Sequence, residues 1–140
     1  MSDELLSTAG EGTDGFVARQ LMASLTASDL QQSLAWYTDV VGFTVDQRYE
    51  PDGVLRAISL RAGDVRILLT QDDGARGMAR VKGEGFSLQL TTAQDVDALA
   101  ARIQASGGTL DSEPTDTPWG FRAFRLRDPD GFKLVISSER

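Results

Sequence analysis

The chain contains neither cysteine nor histidine. Without cysteine there is no disulfide, no thiolate metal site and no cysteine nucleophile. Without histidine it lacks the side chain that titrates nearest neutral pH, which is also the commonest metal ligand, and a Ser-His-Asp triad is excluded. Positive charge is scarce as well: 14 Lys and Arg against 21 Asp and Glu give a net charge of −7. Nucleic-acid binding needs clustered Lys and Arg against phosphate, so no nucleic-acid partner is expected. An acidic surface attracts cationic small molecules and also aids solubility. No apolar run approaches the about 20 residues that span a bilayer, so no membrane partner is expected. The opening Met1-Ser2-Asp3-Glu4 has no basic stretch followed by an apolar block, so no secretory signal and a cytoplasmic location are expected.

What the chain does contain is a duplication. Leu55-Arg56-Ala57-Ile58-Ser59-Leu60-Arg61 runs through Gly63 into the apolar residues 65–69. Phe121-Arg122-Ala123-Phe124-Arg125-Leu126-Arg127 runs through Asp128-Pro129-Asp130-Gly131 into Leu134-Val135-Ile136. Each reads as strand, tight turn, strand. Leu25-Thr26-Ala27-Ser28-Asp29-Leu30 and Leu90-Thr91-Thr92-Ala93-Gln94-Asp95-Val96 are similarly alike, each a strand end leading into a helix. One supersecondary unit is used twice, and two sheets each lacking half a core must pack together, with a ligand taken in the concave space between them.

At 140 residues one domain is expected. Residues 1–17 are polar and acidic and read as a disordered tail, 18–71 as the first unit, 72–84 as a linker, and 85–140 as the second unit. In the first unit, alternation over 19–26 places Leu21, Ala23 and Leu25 on one face of a strand and Met22, Ser24 and Thr26 on the other. Ser28 or Asp29 caps a helix carrying Leu30, Leu34, Tyr37 and Val41 at helical spacing, and Gly42 ends it. Strands follow over 43–49, 54–61 and 65–70. The linker holds a small basic group, Arg76, Arg80 and Lys82, and is long enough for the units to exchange between subunits. The second unit repeats the order: strand 86–91, helix 95–105, strand 109–113, a polar loop over 114–118, and strands 119–127 and 132–138. The fold class is α+β, two tandem βαβββ modules forming a curved mixed sheet around a cavity.

Ser33-Leu34-Ala35-Trp36-Tyr37-Thr38-Asp39-Val40-Val41-Gly42-Phe43, Asp95-Val96-Asp97-Ala98-Leu99 at the second helix start, and Trp119-Gly120-Phe121-Arg122 followed by Asp128-Pro129-Asp130-Gly131-Phe132 carry a likeness to a known family. Over about residues 19–138 the chain resembles the glyoxalase/bleomycin-resistance/extradiol-dioxygenase (vicinal oxygen chelate) superfamily. These motifs read as structural: Tyr37 and Phe43 fill core, Gly42 serves the helix exit, and Asp128 to Gly131 form a turn.

The resemblance implies that metal-dependent members hold one divalent ion between the two half-barrels, with His, Glu or Gln from the first and fourth strands of each unit. Carried over one at a time, those positions fall on Met22, Leu68, Ser87 (Leu88 with a one-residue slip) and Val135. Hard or borderline divalent ions need carboxylate, imidazole, carbonyl or water donors. Gln20 and Gln89 are nearby oxygen donors but supply no charge. No metal, no cofactor and no catalytic residue is therefore expected. The cavity is expected to be lined by Met22, Ser24, Thr26, Arg66, Leu68, Ser87, Gln89, Lys133 and Val135, with Trp119 and Phe121 at its mouth, where Trp119 can stack on a planar or cationic guest. Asp72-Asp73 and the Asp128/Asp130 pair read as solvated carboxylates, and Glu50 at a strand end is the least implausible buried base. The expectation is a metal-free binding protein like the bleomycin-resistance members, a homodimer sequestering a cationic or aromatic natural product. The alternative is a metal-dependent lyase, isomerase or dioxygenase with displaced ligands.

Overall fold

The computed structural model describes residues 15–77 and 81–139. Of the expected tail over 1–17, only 15–17 belong to them, and Arg80 of the linker does not. The element order is twice βαβββ. The first module comprises β1 (Ala23–Ala27), α1 (Leu30–Ala35) continued by a π-helical turn (Trp36–Val41), β2 (Thr44–Tyr49), a 3-10 turn (Pro51–Gly53), β3 (Ala57–Ala62) and β4 (Val65–Gln71). The second comprises β5 (Ser87–Thr92), α2 (Val96–Ala105), β6 (Leu110–Asp116), β7 (Arg122–Arg127) and β8 (Lys133–Ser138).

Each module builds one four-stranded sheet, ordered β1-β4-β3-β2 and β5-β8-β7-β6. The β1–β4 and β5–β8 pairs are parallel and the others antiparallel. The sheets stay separate and do not close on each other. Strand alternation sends Leu25, Ile58, Leu60, Ile67 and Leu69, and likewise Phe124, Leu126, Leu134 and Ile136, into one shared core with Leu30, Tyr37, Val96 and Ile103 of the helical segments. The other face of each sheet is turned away from that core.

The expected helix over 30–42 is two pieces. Asp29 caps α1, its carboxylate accepting from Gln32 N at 3.2 Å. Gln71 adds a second cap, accepting from Leu30 N at 3.0 Å and donating to Ser28 O at 2.9 Å. The hydroxyl of Thr38 then donates to Leu34 O at 2.8 Å, a back-bond that competes with the backbone ladder. Beyond it the coil widens, and both Gly42 N and Phe43 N donate to Tyr37 O. Gly42 ends the turn at φ 111°, a conformation that favours glycine. The wide turn holds Tyr37 inward, with Phe43 edge-on at 5.5 Å between ring centroids.

Several boundaries differ from expectation. β1 begins at Ala23, so Leu21 shares no buried face with Leu25 and is 94% exposed. β6 extends through Asp116, so most of the expected loop over 114–118 is strand, with two register shifts against β7. β7 begins at Arg122 and leaves Trp119 in the preceding turn.

The modules meet through their helical segments. Arg102 of α2 donates to Val41 O at 3.0 Å. Gly108 lies so close to Ile103 and Val40 that an added Cβ would stand 2.6 Å and 2.8 Å from their methyl carbons.

Candidate ligand-binding faces and the buried polar seam

The strand register arranges the expected site residues in rows across the two open faces. In the first sheet Ser24, Leu68 and Ser59 are level neighbours, continued by Gln47. In the second sheet Gln89, Val135 and Arg125 are level, continued by Ser112. The next row along holds Arg61 beside Arg66 in the first sheet, and Ser87, Lys133 and Arg127 in the second. Thus Leu68 is level with Ser24 rather than Met22, and Val135 with Gln89 rather than Ser87. Met22 lies just ahead of β1 and is 39% exposed. Val135 is buried, Leu68, Ser87, Lys133 and Phe121 are half-buried, and Ser24, Arg66, Gln89 and Trp119 are exposed. By strand alternation Ser24, Thr26, Arg66 and Leu68 share the face of the first sheet turned away from the common core, and Ser87, Gln89, Lys133 and Val135 that of the second, while Met22, Trp119 and Phe121 lie outside the strands.

Sequence reasoning missed Ser59, Arg61, Asp46, Arg125, Arg127 and Asp111 on these faces. Strand alternation would have found the arginines, because Ser59, Arg61, Arg125 and Arg127 alternate with core positions. Asp46 sits at the register shift of β2; it accepts from Ser59 Oγ at 3.3 Å and lies 3.9 Å from Arg66. Asp111 accepts from Arg127 Nε at 2.8 Å.

Clefts are also present among the described residues. One of ≈ 420 Å³ beside the β3–β4 turn is lined by Arg19, Gln20, Leu21, Arg61, Asp64 and Arg66. One of ≈ 500 Å³ is lined in part by Thr26, Thr70 and Asp72. One of ≈ 710 Å³ lies between the modules on the helix side, against Phe43, Leu90, Leu99 and Arg102.

The carboxylates read as solvated are in large part buried. Asp72 and Asp128 are buried, whereas Asp73 is exposed as expected. Lys82, from the expected basic group of the linker, is buried too, its Nζ 2.8 Å from Asp72 and 3.5 Å from Asp130. Asp130 accepts from both the backbone N–H and the hydroxyl of Ser28. Asp128 accepts from the Tyr37 hydroxyl at 2.9 Å and from the backbone N–H groups of Asp130 and Phe132. Burial pushes the Asp128 carboxyl above its ordinary value, opposed by those hydrogen bonds. Burial, with Asp128 beside it, raises the Tyr37 phenol far out of its usual range, so it stays a hydrogen-bond donor. These groups lie in the seam between modules and bond to one another and to nearby backbone groups. Glu50, the expected candidate for a buried base, is exposed.

Among the described residues no three His, Cys, Asp or Glu side chains gather in a way that would hold a metal ion. The level rows of the open faces offer hydroxyl, amide, aliphatic and guanidinium groups, a set that does not fit a divalent cation. No described helix is long and apolar enough to cross a membrane.

The model of the Glyoxalase/Bleomycin resistance protein/Dioxygenase superfamily matches residues 19–136. The chain belongs to this superfamily. A glutathione transferase FosA from Serratia marcescens is 25% identical over 114 residues, covering 81% of this chain and 75% of that protein. The fold is shared with TioX from Micromonospora sp. ML1, at TM-score 0.69 and 22% identity over 88% of this chain and 100% of the other. It is shared too with a superfamily member from Sphaerobacter thermophilus, at TM-score 0.72 and 24% identity over 88% and 98% of the two chains. Superfamily membership accords with the duplicated βαβββ plan.

Proposed function

We propose that this protein is a metal-free, cytoplasmic small-molecule-binding protein that acts as a homodimer. Its ligand lies between the open face of the first module of one copy and the open face of the second module of its partner. The observation that carries this reading is the residue set of the level rows: Ser24, Leu68 and Ser59 on one face, Gln89, Val135 and Arg125 on the other. Two half-faces of mixed apolar and polar character, each open in a single copy, make one enclosed site when brought together, which is what small-molecule recognition requires. Trp119 and Phe121, in the turn leading into β7, supply flat surface for a planar guest. A role in resistance to a toxic natural product follows from such sequestration.

A second reading is an enzyme whose metal is held by displaced ligands, favoured by the similarity to a protein named as a glutathione transferase. One set of measurements separates the two. Elemental analysis of purified protein is expected to show no stoichiometric Ni, Zn, Fe or Mn, and titration calorimetry against planar aromatic compounds is expected to show saturable binding without added metal. Light scattering is expected to give a dimer mass. A stoichiometric metal removed by Gln89→Ala would overturn the metal-free reading, and a monomer at micromolar concentration would overturn the shared site.

A further inference from the structure

Both open faces carry the same unfavourable arrangement. Arg61 of β3 is paired directly with Arg66 of β4, and Arg127 of β7 directly with Lys133 of β8. Like charges placed opposite each other across two strands destabilise a sheet. The two pairs occupy equivalent places in the duplication, close to the hairpin turn of each module. Leu60-Arg61 corresponds to Leu126-Arg127, and Arg66 through Leu68 to Lys133 through Val135. Each pair is relieved in the same partial way. Val45 pairs with Leu60 and Leu110 with Leu126, and the acidic residue after each, Asp46 or Asp111, reaches one cation: Arg66 at 3.9 Å, Arg127 at 2.8 Å. Two cations and one carboxylate leave each row with one net positive charge, in a chain whose total is −7. Arg125 adds another cation one row along on the second face. On the first face the row opens into the ≈ 420 Å³ cleft that Arg19 also lines, with Asp64 as its carboxylate.

We infer that each row is half of an oxyanion subsite, and that the ligand bears a carboxylate or phosphate group. The inference rests on the small-molecule-binding reading above and names the charge class of the guest. It reverses the preference for a cationic guest that overall acidity suggests, because each of these rows holds a local excess of positive charge. An oxyanion accepts the guanidinium hydrogen bonds that Asp46 and Asp111 leave over, and it offsets the repulsion within each pair. When two open faces come together, both rows line one site.

The test uses four probes on one ring system: 1-naphthoate, 1-naphthyl phosphate, neutral 1-naphthamide and cationic 1-naphthylmethylamine, titrated into the intact protein at low and high salt. The two oxyanions are expected to bind about tenfold more tightly than the amide, with the advantage shrinking as salt rises. The relative strength of carboxylate and phosphate reports which group the site prefers. The Arg61→Gln/Arg66→Gln and Arg127→Gln/Lys133→Gln variants are expected to lose that advantage, whereas Arg61→Lys and Lys133→Arg, which keep the charge, retain most of it. If the amide or the amine binds as tightly as the oxyanions, the anion assignment is overturned while the binding reading stands. If none of the four binds saturably, both fall. If the glutamine variants weaken self-association and leave naphthoate affinity unchanged, the cations serve the contact between copies, and the assignment is likewise overturned.

Discussion

The ammonium of Lys82 lies 2.8 Å from the carboxylate of Asp72, and both side chains are 3% exposed. Asp130, on the turn before β8, lies on the other side of the same ammonium. One cation thus ties the end of β4, the segment before β5 and the second module's hairpin into a single buried knot. Removing it withdraws the ammonium from both carboxylates. Lys82→Met is expected to destabilise the fold by about 3–5 kcal/mol, because breaking a buried ion group on one side is strongly destabilising. Urea unfolding against wild type measures this.

Asp128 accepts three hydrogen bonds, two from backbone N–H groups and one from Tyr37. Asp128→Ala leaves all three donors without it, and a loss of roughly 2–4 kcal/mol is expected. Asp128→Asn keeps an acceptor for the backbone donors and places an amide against the Tyr37 oxygen, so a loss of about 1 kcal/mol or less is expected. Equal losses in the two variants would show that side-chain volume, rather than hydrogen bonding, is what the site needs.

The same residue sets a pH dependence. Burial raises its carboxyl pKa in the folded protein above the ordinary 3.8, so folding takes up a proton between the ordinary and the raised value. The stability this proton contributes is complete below the ordinary value and is lost as pH rises through the native one. Wild-type stability measured relative to Asp128→Asn is therefore expected to fall across that window and to level off above it. A relative stability that climbs with pH would reverse the sign.

Ser33 is 1% exposed, and among the described residues its hydroxyl has no hydrogen-bond partner. A buried hydroxyl without a partner costs the desolvation of its oxygen. Ser33→Ala is expected to leave the thermal midpoint unchanged or to raise it, by up to about 1 kcal/mol in free energy. A clear loss of stability would point to a packing role for the hydroxyl.

The duplication, the alternation of strand faces and the identities of Leu68 and Val135 as open-face residues were legible because they depend on period-two patterning, which needs no tertiary knowledge. The level neighbours were harder. Whether Met22 or Ser24 stands beside Leu68 depends on where β1 begins, and Thr26 to Asp29 alone do not fix that. The seam was not legible at all. Tyr37 and Asp128 are 91 positions apart, and Asp128-Pro129-Asp130-Gly131 has the composition of any exposed turn. Only the approach of the first module converts that turn into a buried junction. The widening of the first helix was hidden for a related reason: Leu30, Leu34, Tyr37 and Val41 suit an ordinary helix, and the Thr38 back-bond that loosens it leaves no periodic trace.

In both modules the apolar interior lies on the helical side, so Ser24, Arg66, Gln89 and Arg125 can be replaced without disturbing the residues that hold the chain together. Under the proposed reading, recognition is thereby uncoupled from foldedness. The architecture itself persists at 22% and 24% identity to its structural relatives.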